Sequence, residues 1–288
     1  MAGKKIIAVF GATGQQGGSV VDIFLNDPKV KNEWSVRAVT RDITKESAKK
    51  LAAQGAEVVQ VRRLLEATVT WREDQNVELI PVDRPTCQTR RHWAMPSSAL
   101  KPCLLKAAVE EYARSLGIPA VYFMPGFYMS NLPGQMLRAS PPDNTWTLAL
   151  PMPESAPIPM FDISDTGKVV KSIALNREKV LGKRVLGAFK YMTPKEILEG
   201  FKSVYSEAGK TATFFSTPHD AYTDALKGMG MPEFAAIELL ENMRLMDEGG
   251  YYGGESLDES HALLDDPLTT WEEFMKKSPL FSELKSDE

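Results

Sequence analysis

Gly11, Gly14 and Gly17 punctuate the stretch FGATGQQGG, directly behind the apolar run Ile6 to Phe10. The chemistry available to that spacing is anion binding. The first glycine permits a tight turn, and missing side chains let the backbone approach a pyrophosphate. The helix that follows offers unpaired N–H groups and a partial positive charge. Strand, glycine loop and helix in this order read as a dinucleotide-binding device. A plain structural turn is the alternative, because glycine turns after strands are common.

The end of the next strand selects the cofactor. An acidic side chain there would hold the ribose 2′-hydroxyl of NAD, and a cation accommodates the 2′-phosphate of NADP. The residues are VTRDITK, with Arg41 after Thr40 and Lys45 one helical turn later. Arginine pairs with phosphate through two N–H groups and lysine adds a point charge, so NADP is the favoured cofactor. The alternative is that Arg41 and Lys45 are solvated residues at a helix start, with Asp42 near enough to blunt them.

Other reactive residues carry less. Cys87, His92 and Cys103 match no standard zinc spacing and lack a fourth ligand, so no metal is expected. His219 and His261 stand apart from any nucleophile motif and are expected on the surface. Arg90 and Arg91 read as a solvated loop. Ser97 and Ser98 lie between Pro96 and Pro102. Asp265 and Asp266, like Glu272 and Glu273, read as helix-start charges, with Thr270 and Glu273 as a capping pair. Met229, Met231, Met243 and Met246 fit core positions better than a flexible pocket.

The elements that must position the loop are legible at the N-terminus. KIIAVF is a β-branched strand, and SVVDIFLNDP puts Val20, Val21, Phe24 and Leu25 on one helical face before Pro28. WSVRAVTRD is a second strand. TKESAKKLAAQG is a helix with Thr44 as its expected N-cap and Gly55 as its stop. AEVVQV is a third strand. This alternation is half of a doubly wound α/β sheet.

Between Thr68 and Cys103 the pattern fails. Four prolines interrupt it, only VELIPV resembles a strand, and the segment is expected to be poorly ordered or to pack without helix. LLKAAVEEYARSLGIP is a helix and AVYFMPGFYMSN a strand with a turn. Residues 139–160 read as a proline-rich loop with a short strand at WTLAL. DISDTGKVVKSIAL is a capped helix, KRVLGAF a strand, and TPKEILEGFKSVYSEAG a helix with Thr193 as N-cap and Glu196 as the capping acid. The tail is mostly helical.

KKIIAVFGATGQQGGSV, VRAVTRD and AAQGAEVVQ, with KAAVEEYARSLGIPAVYFMPGFYMSNL and PEFAAIELLENMRLMDEGGYYGG, resemble the NmrA-like proteins, atypical short-chain dehydrogenases/reductases. That family holds fungal nitrogen-repression regulators, NADPH-sensing redox proteins and fungal oxidoreductases attached to biosynthetic pathways. By position the resemblance implies that Gly11, Ala12, Thr13, Gly14, Gln15 and Gln16 wrap the pyrophosphate, with Gly17 completing the motif. Arg41, Asp42, Ile43, Thr44 and Lys45 would meet the adenosine 2′-phosphate. Lys106 takes the place of the lysine at the nicotinamide ribose, and Tyr128, Met129, Ser130 and Asn131 would line the nicotinamide end. Lys106 and Tyr128 are therefore the candidate catalytic residues.

Three departures stand out. Position 102, where a dehydrogenase of this superfamily has its tyrosine, is Pro; the family's RPGFYM is here MPGFYM, with Met124. The 45 positions between Gln60 and Lys106 are too few for the usual fourth strand, helix and fifth strand, so central strands 4 and 5 are expected to be incomplete.

The fold class expected is α/β, a doubly wound (Rossmann-type) parallel sheet with a smaller, mostly helical C-terminal lobe. The nucleotide-binding domain would take 1–135 with elements from about 160–215, and the lobe 216–288. A net charge of −4 argues against direct nucleic-acid binding. No apolar run approaches the roughly 18 residues of a membrane span, and the two cysteines suit a reducing compartment, cytoplasmic or nuclear. The resemblance implies an NADP(H)-binding oxidoreductase acting on a small organic substrate of a fungal-type secondary pathway. The alternatives are a non-catalytic NADPH-sensing redox or transcriptional regulator with a protein partner, or a catalytically defective relative.

Overall fold

The computed structural model describes residues 4–61, 101–140, 144–282 and 284, with the backbone alone for 101–106. Strand β1 (Lys5–Phe10), helix α1 (Gln15–Asn26), strand β2 (Trp34–Thr40), helix α2 (Glu46–Ala53) and strand β3 (Glu57–Gln60) form the expected β-α-β-α-β unit. The strands pair in parallel with β2 in the middle, Ile7 opposite Val36 and Ala38 opposite Val58. Val20, Val21 and Phe24 of α1 are buried against this sheet, as the helical spacing requires.

Helix α2 departs in detail. Its N-cap is Lys45, without a side-chain cap. Thr44 is held instead by Asp42, whose carboxylate accepts the Thr44 N–H at 2.8 Å and hydroxyl at 2.6 Å. This local turn satisfies Thr44 before the helix can use it.

Helix α3 (Lys101–Ser115) begins earlier than its apolar pattern. Pro102 falls in its first turn, where the missing N–H has no intrahelical partner to lose. Strands β4 (Tyr122–Pro125) and β5 (Phe127–Tyr128) follow, then β6 (Leu137–Ser140), β7 (Thr145–Leu150) and β8 (Ile158–Phe161). The short strand expected at WTLAL is β7, and the loop expected around it over 139–160 also holds the end of β6 and most of β8. Alternating burial in β7, with Leu148 and Leu150 inward, outweighs the flanking prolines. Helix α4 (Thr166–Leu175), β9 (Arg184–Gly187), β10 (Lys190–Met192) and β11 (Thr213–Ser216) complete the strands. β4 pairs in parallel with β9, β8 lies between β5 and β10, and β7 lies between β6 and β11.

Among the described residues β1 pairs on one edge only, with β2. VELIPV (77–82), Cys87, Arg90, Arg91, His92, Ser97, Ser98, and the Cys103 and Lys106 side chains lie outside them.

The largest apolar cluster runs from Met124 to Phe281 and seats Trp271, Tyr252 and Phe201 in one core. Both capping boxes, Thr193 with Glu196 and Thr270 with Glu273, are formed. Met243 and Met246 are core and Met231 is half-buried, but Met229 is 76% exposed. His261 is half-buried: its Nε2 lies 2.8 Å from the Ala188 carbonyl and ties the C-terminal segment to the turn after β9.

Asp265 and Asp266 are not helix-start charges either. With Asp27 they surround Lys171, which is 1% exposed at the centre of α4. Burial pushes the ammonium pKa down, but hydrogen bonds to Asp266, Asp27 and Asp265 outweigh it and the net shift is upward. The same bond to Lys171 holds Asp27 below the usual carboxylate range; Lys29, then Lys171, does so for Asp265. The cluster joins the end of α1, the middle of α4 and the C-terminal segment. Removing the cation leaves three carboxylates facing one another. Lys171→Met is expected to lower stability by about 3–5 kcal/mol, the range for breaking a buried pair. Both aspartate pKa values are lowered on folding, so wild type keeps the benefit above the ordinary value of about 3.9 and loses it as pH falls through the lowered ones. Urea unfolding of both proteins between pH 7 and pH 3 checks both points, and the difference between them is expected to shrink at the acid end.

Candidate functional site

Helix α1 starts at Gln15 with Gly14 as N-cap, and no side chain caps it. The first N–H groups of a helix have no intrahelical acceptor. Here they face the end of a cavity of about 400 Å³. Gly11 has φ +65° and turns the chain there. A Cβ on Gly17 would stand 2.4 Å from the Gly11 carbonyl oxygen, so loop and helix meet too closely for any other residue. Bare backbone, helix N-terminus and cavity together fit a pyrophosphate. Ala12 is wholly buried beneath the loop, while Thr13 and Gln15 are exposed.

The cavity has three walls. β1 and the loop form one, from Ile7 to Gly17; Phe123 of β4 and Tyr128 of β5 form the second; Ile163, Thr166 and Val170 form the third. The third wall stays close because α4 crosses α1 at Gly167, where a Cβ would meet the Ser19 carbonyl oxygen at 2.3 Å. Ser19 Oγ accepts the Gly167 N–H at 3.0 Å and donates to the Gln16 carbonyl at 2.8 Å. The Gln16 carboxamide donates to the Tyr128 hydroxyl at 2.7 Å, joining loop and second wall across 112 positions of sequence.

Arg41, Thr44 and Lys45 are exposed at the carboxyl end of β2, Asp42 is half-buried and Ile43 is 43% exposed. Among the described residues no ion pair is recorded for Arg41 or Lys45. Asp42 is turned to Thr44, whose side-chain and backbone hydrogen bonds hold its carboxyl below the usual range. Asp42 therefore stays ionised beside Arg41, with its carboxylate turned to Thr44. Tyr128 is half-buried and lines the cavity. Ser130 and Asn131 are half-buried, whereas Met129 is 0% exposed in the main core, so its side chain is packing and not cavity wall. The Lys106 backbone lies in α3.

Sequence reasoning named the loop and Tyr128 but missed Phe123, Ile163, Thr166 and Val170. No periodicity marks them, because they belong to elements that meet only in the folded chain. It also missed the Gln16–Tyr128 bond, although both residues were singled out.

The profile of the NmrA-like family matches residues 3–69 and 98–275. The NmrA-like family domain-containing oxidoreductase lnaB of Aspergillus flavus is 24% identical over 300 residues, spanning 88% of this chain and 87% of its own. Among solved structures, the negative transcriptional regulator NmrA in complex with NADP superposes with a TM-score of 0.72 at 20% identity, covering 97% of each chain. The NADPH-dependent quinone oxidoreductase QOR2 of Escherichia coli gives 0.66 at 19% identity, covering 94% of this chain and 98% of its own.

Gly17→Ala tests the loop. The added methyl displaces the Gly11 turn, so the expected outcome is at least a tenfold loss of NADPH affinity, about 1.4 kcal/mol, in a protein that retains its helical circular dichroism. Fluorescence titration of NADPH measures it.

Proposed function

This chain belongs to the NmrA-like family, and from that premise we propose that it is an NADP(H)-dependent oxidoreductase acting on a small organic substrate. The observation that carries the reading is that one cavity runs from the glycine loop at α1 to the Tyr128 hydroxyl. A phosphate grip and a group able to hydrogen-bond a substrate oxygen therefore open into the same space. The oxidoreductase lnaB and the NADPH-dependent QOR2 support it as relatives in sequence and in fold.

In this reading the bound cofactor supplies or accepts the hydride. The chain does the rest. Backbone N–H groups at the start of α1 hold the pyrophosphate without a counter-charge. Arg41 and Lys45 hold the 2′-phosphate from the exposed end of β2. Lys106, placed by resemblance, orients the nicotinamide ribose. Tyr128 hydrogen-bonds the substrate oxygen, and apolar walls keep water away from the transfer.

Pro102 favours a second reading, a cofactor sensor without turnover, because the superfamily's tyrosine is missing there. The regulator NmrA with NADP is its parallel in fold. Such a protein would contact a protein partner and consume no NADPH.

Two measurements separate these. Wild type is expected to bind NADPH more tightly than NADH, and Arg41→Ala to lose about 1.5–3 kcal/mol toward NADPH alone, the range for a charge-assisted hydrogen bond; equal affinities in wild type would overturn the NADP assignment. Across a panel of ketones, enones and quinones, Lys106→Ala is expected to remove most NADPH oxidation while retaining part of the NADPH binding. No oxidation with any of them, together with a partner bound only with cofactor, would install the sensor instead.

A further inference from the structure

At the carboxyl end of β2 the charges are sorted. Glu57 is taken by Arg37 at 2.9 Å and Glu46 by Lys49 at 3.8 Å. The Asp42 carboxylate is taken by Thr44, whose N–H and hydroxyl both donate to the same oxygen, Oδ1. Arg41 and Lys45 are exposed and make no ion pair among the described residues.

The main chain of this turn is tied to the next strand. The Val61 N–H donates to the Thr40 carbonyl at 3.0 Å, and the Gln60 carboxamide donates to the Arg41 carbonyl at 3.0 Å. The Asp42 N–H donates to the Thr40 hydroxyl at 3.4 Å. Arg41 therefore leaves the sheet in a direction set by β3, and the Asp42 side chain is the part of the turn that has a choice.

That choice has chemical consequences, because Asp42 adjoins Arg41 and the Lys45 charge acts on its carboxyl. A carboxylate turned toward the cofactor's ribose accepts a 2′-hydroxyl, the recognition that selects NAD. The same carboxylate repels a 2′-phosphate and competes with it for the two cations. Turned to Thr44, it does neither. At 2.6 Å the hydroxyl bond has the length of a charge-assisted O–H···O⁻ contact, so Thr44 holds the carboxylate with more than the main-chain bond of a common turn. The hydroxyl proton is spent on Asp42, so Thr44 acts through that residue and not by donating to the phosphate.

We infer that Thr44 is a specificity-determining positioning residue for NADP: it holds the Asp42 carboxylate away from the ribose 2′ position and so keeps Arg41 and Lys45 available to the 2′-phosphate. The inference rests on the placement of that phosphate at Arg41 and Lys45, and on nothing about turnover.

Fluorescence titration of NADPH and of NADH against the full chain gives the selectivity, the ratio of the NADH to the NADPH dissociation constant. Thr44→Val keeps the shape and removes the hydroxyl. It is expected to lower the ratio at least about threefold, through weaker NADPH binding without a matching loss for NADH. Thr44→Ser restores the hydroxyl and is expected to recover most of the ratio. Asp42→Asn keeps the acceptor oxygen, removes the charge and is expected to raise the ratio. The double variant is expected to keep that raised ratio, because no carboxylate remains to be released. Thr44→Ala carries the same measurement if Thr44→Val loses its helical circular dichroism. Equal weakening of both cofactors by Thr44→Val marks a structural role only and overturns the inference, as does a double variant whose ratio falls as far as that of Thr44→Val. A wild type without preference for NADPH overturns the NADP assignment itself, whereas a preference that Thr44→Val leaves intact overturns this inference alone.

Discussion

Helix α1 is held at three points along its length, and the geometry of the site follows from those ties. At its N-terminus Gly17 lies against the Gly11 carbonyl, with no room for a side chain. In its first half Ser19 takes the N–H of Gly167, so α4 crosses in contact with it. Beyond its C-terminus Asp27 reaches the buried Lys171. A helix of this length is about 18 Å long. Fixing both ends and one flank leaves its position little freedom relative to β1 and α4. The amide groups at its start must then face the cavity, because the rest of the element cannot move.

The charged and uncharged parts of the molecule divide the work. Lys171 pays for its burial with three carboxylates, and Glu110, 4% exposed, lies between Arg114 and Arg184. These clusters join segments distant in sequence and stand outside the cavity lining. The cavity itself offers backbone dipoles at one end and a phenol at the other, with apolar walls between. Such an interior strengthens each hydrogen bond it contains and penalises any ligand charge that has no partner. Among the described residues, Arg41 and Lys45 carry formal positive charge in solvent at the end of β2.

Two departures from the family pattern bear on the site in different ways. Pro102 sits in the first turn of α3, where the helix tolerates it, so the loss there is chemical and the helix is kept. Met124 is buried, and its carbonyl accepts the hydroxyl of Tyr252, while Tyr251 donates to the carbonyl of Pro125 at 3.3 Å. The Tyr251–Tyr252 turn thus clamps the strand that leads into Tyr128. Desolvation raises the Tyr252 pKa well above its ordinary value, and as a neutral donor it is a lasting strut for that strand.

How much of this was legible in the sequence depends on the range of the interaction. The first β-α-β-α-β unit, the glycine loop, the Thr193 and Thr270 capping boxes and the stop at Gly55 are local, and propensity, spacing and capping chemistry determined them. Thr44 shows the limit even at short range: two chemically sound uses competed, and the turn with Asp42 won over the helix cap. The strand at WTLAL was legible, whereas β6 and β8 at the two ends of 139–160 were hidden by the prolines around and within them. The third wall of the cavity, the Gln16–Tyr128 bond, the His261 tie and the Lys171 cluster join residues 73 to 148 positions apart. No one-dimensional pattern encodes such pairings. Sequence alone determined which residues could grip a phosphate; only the packing of α1 between β1 and α4 decided which side chains share the cavity with that grip, because burial and shape belong to the folded chain.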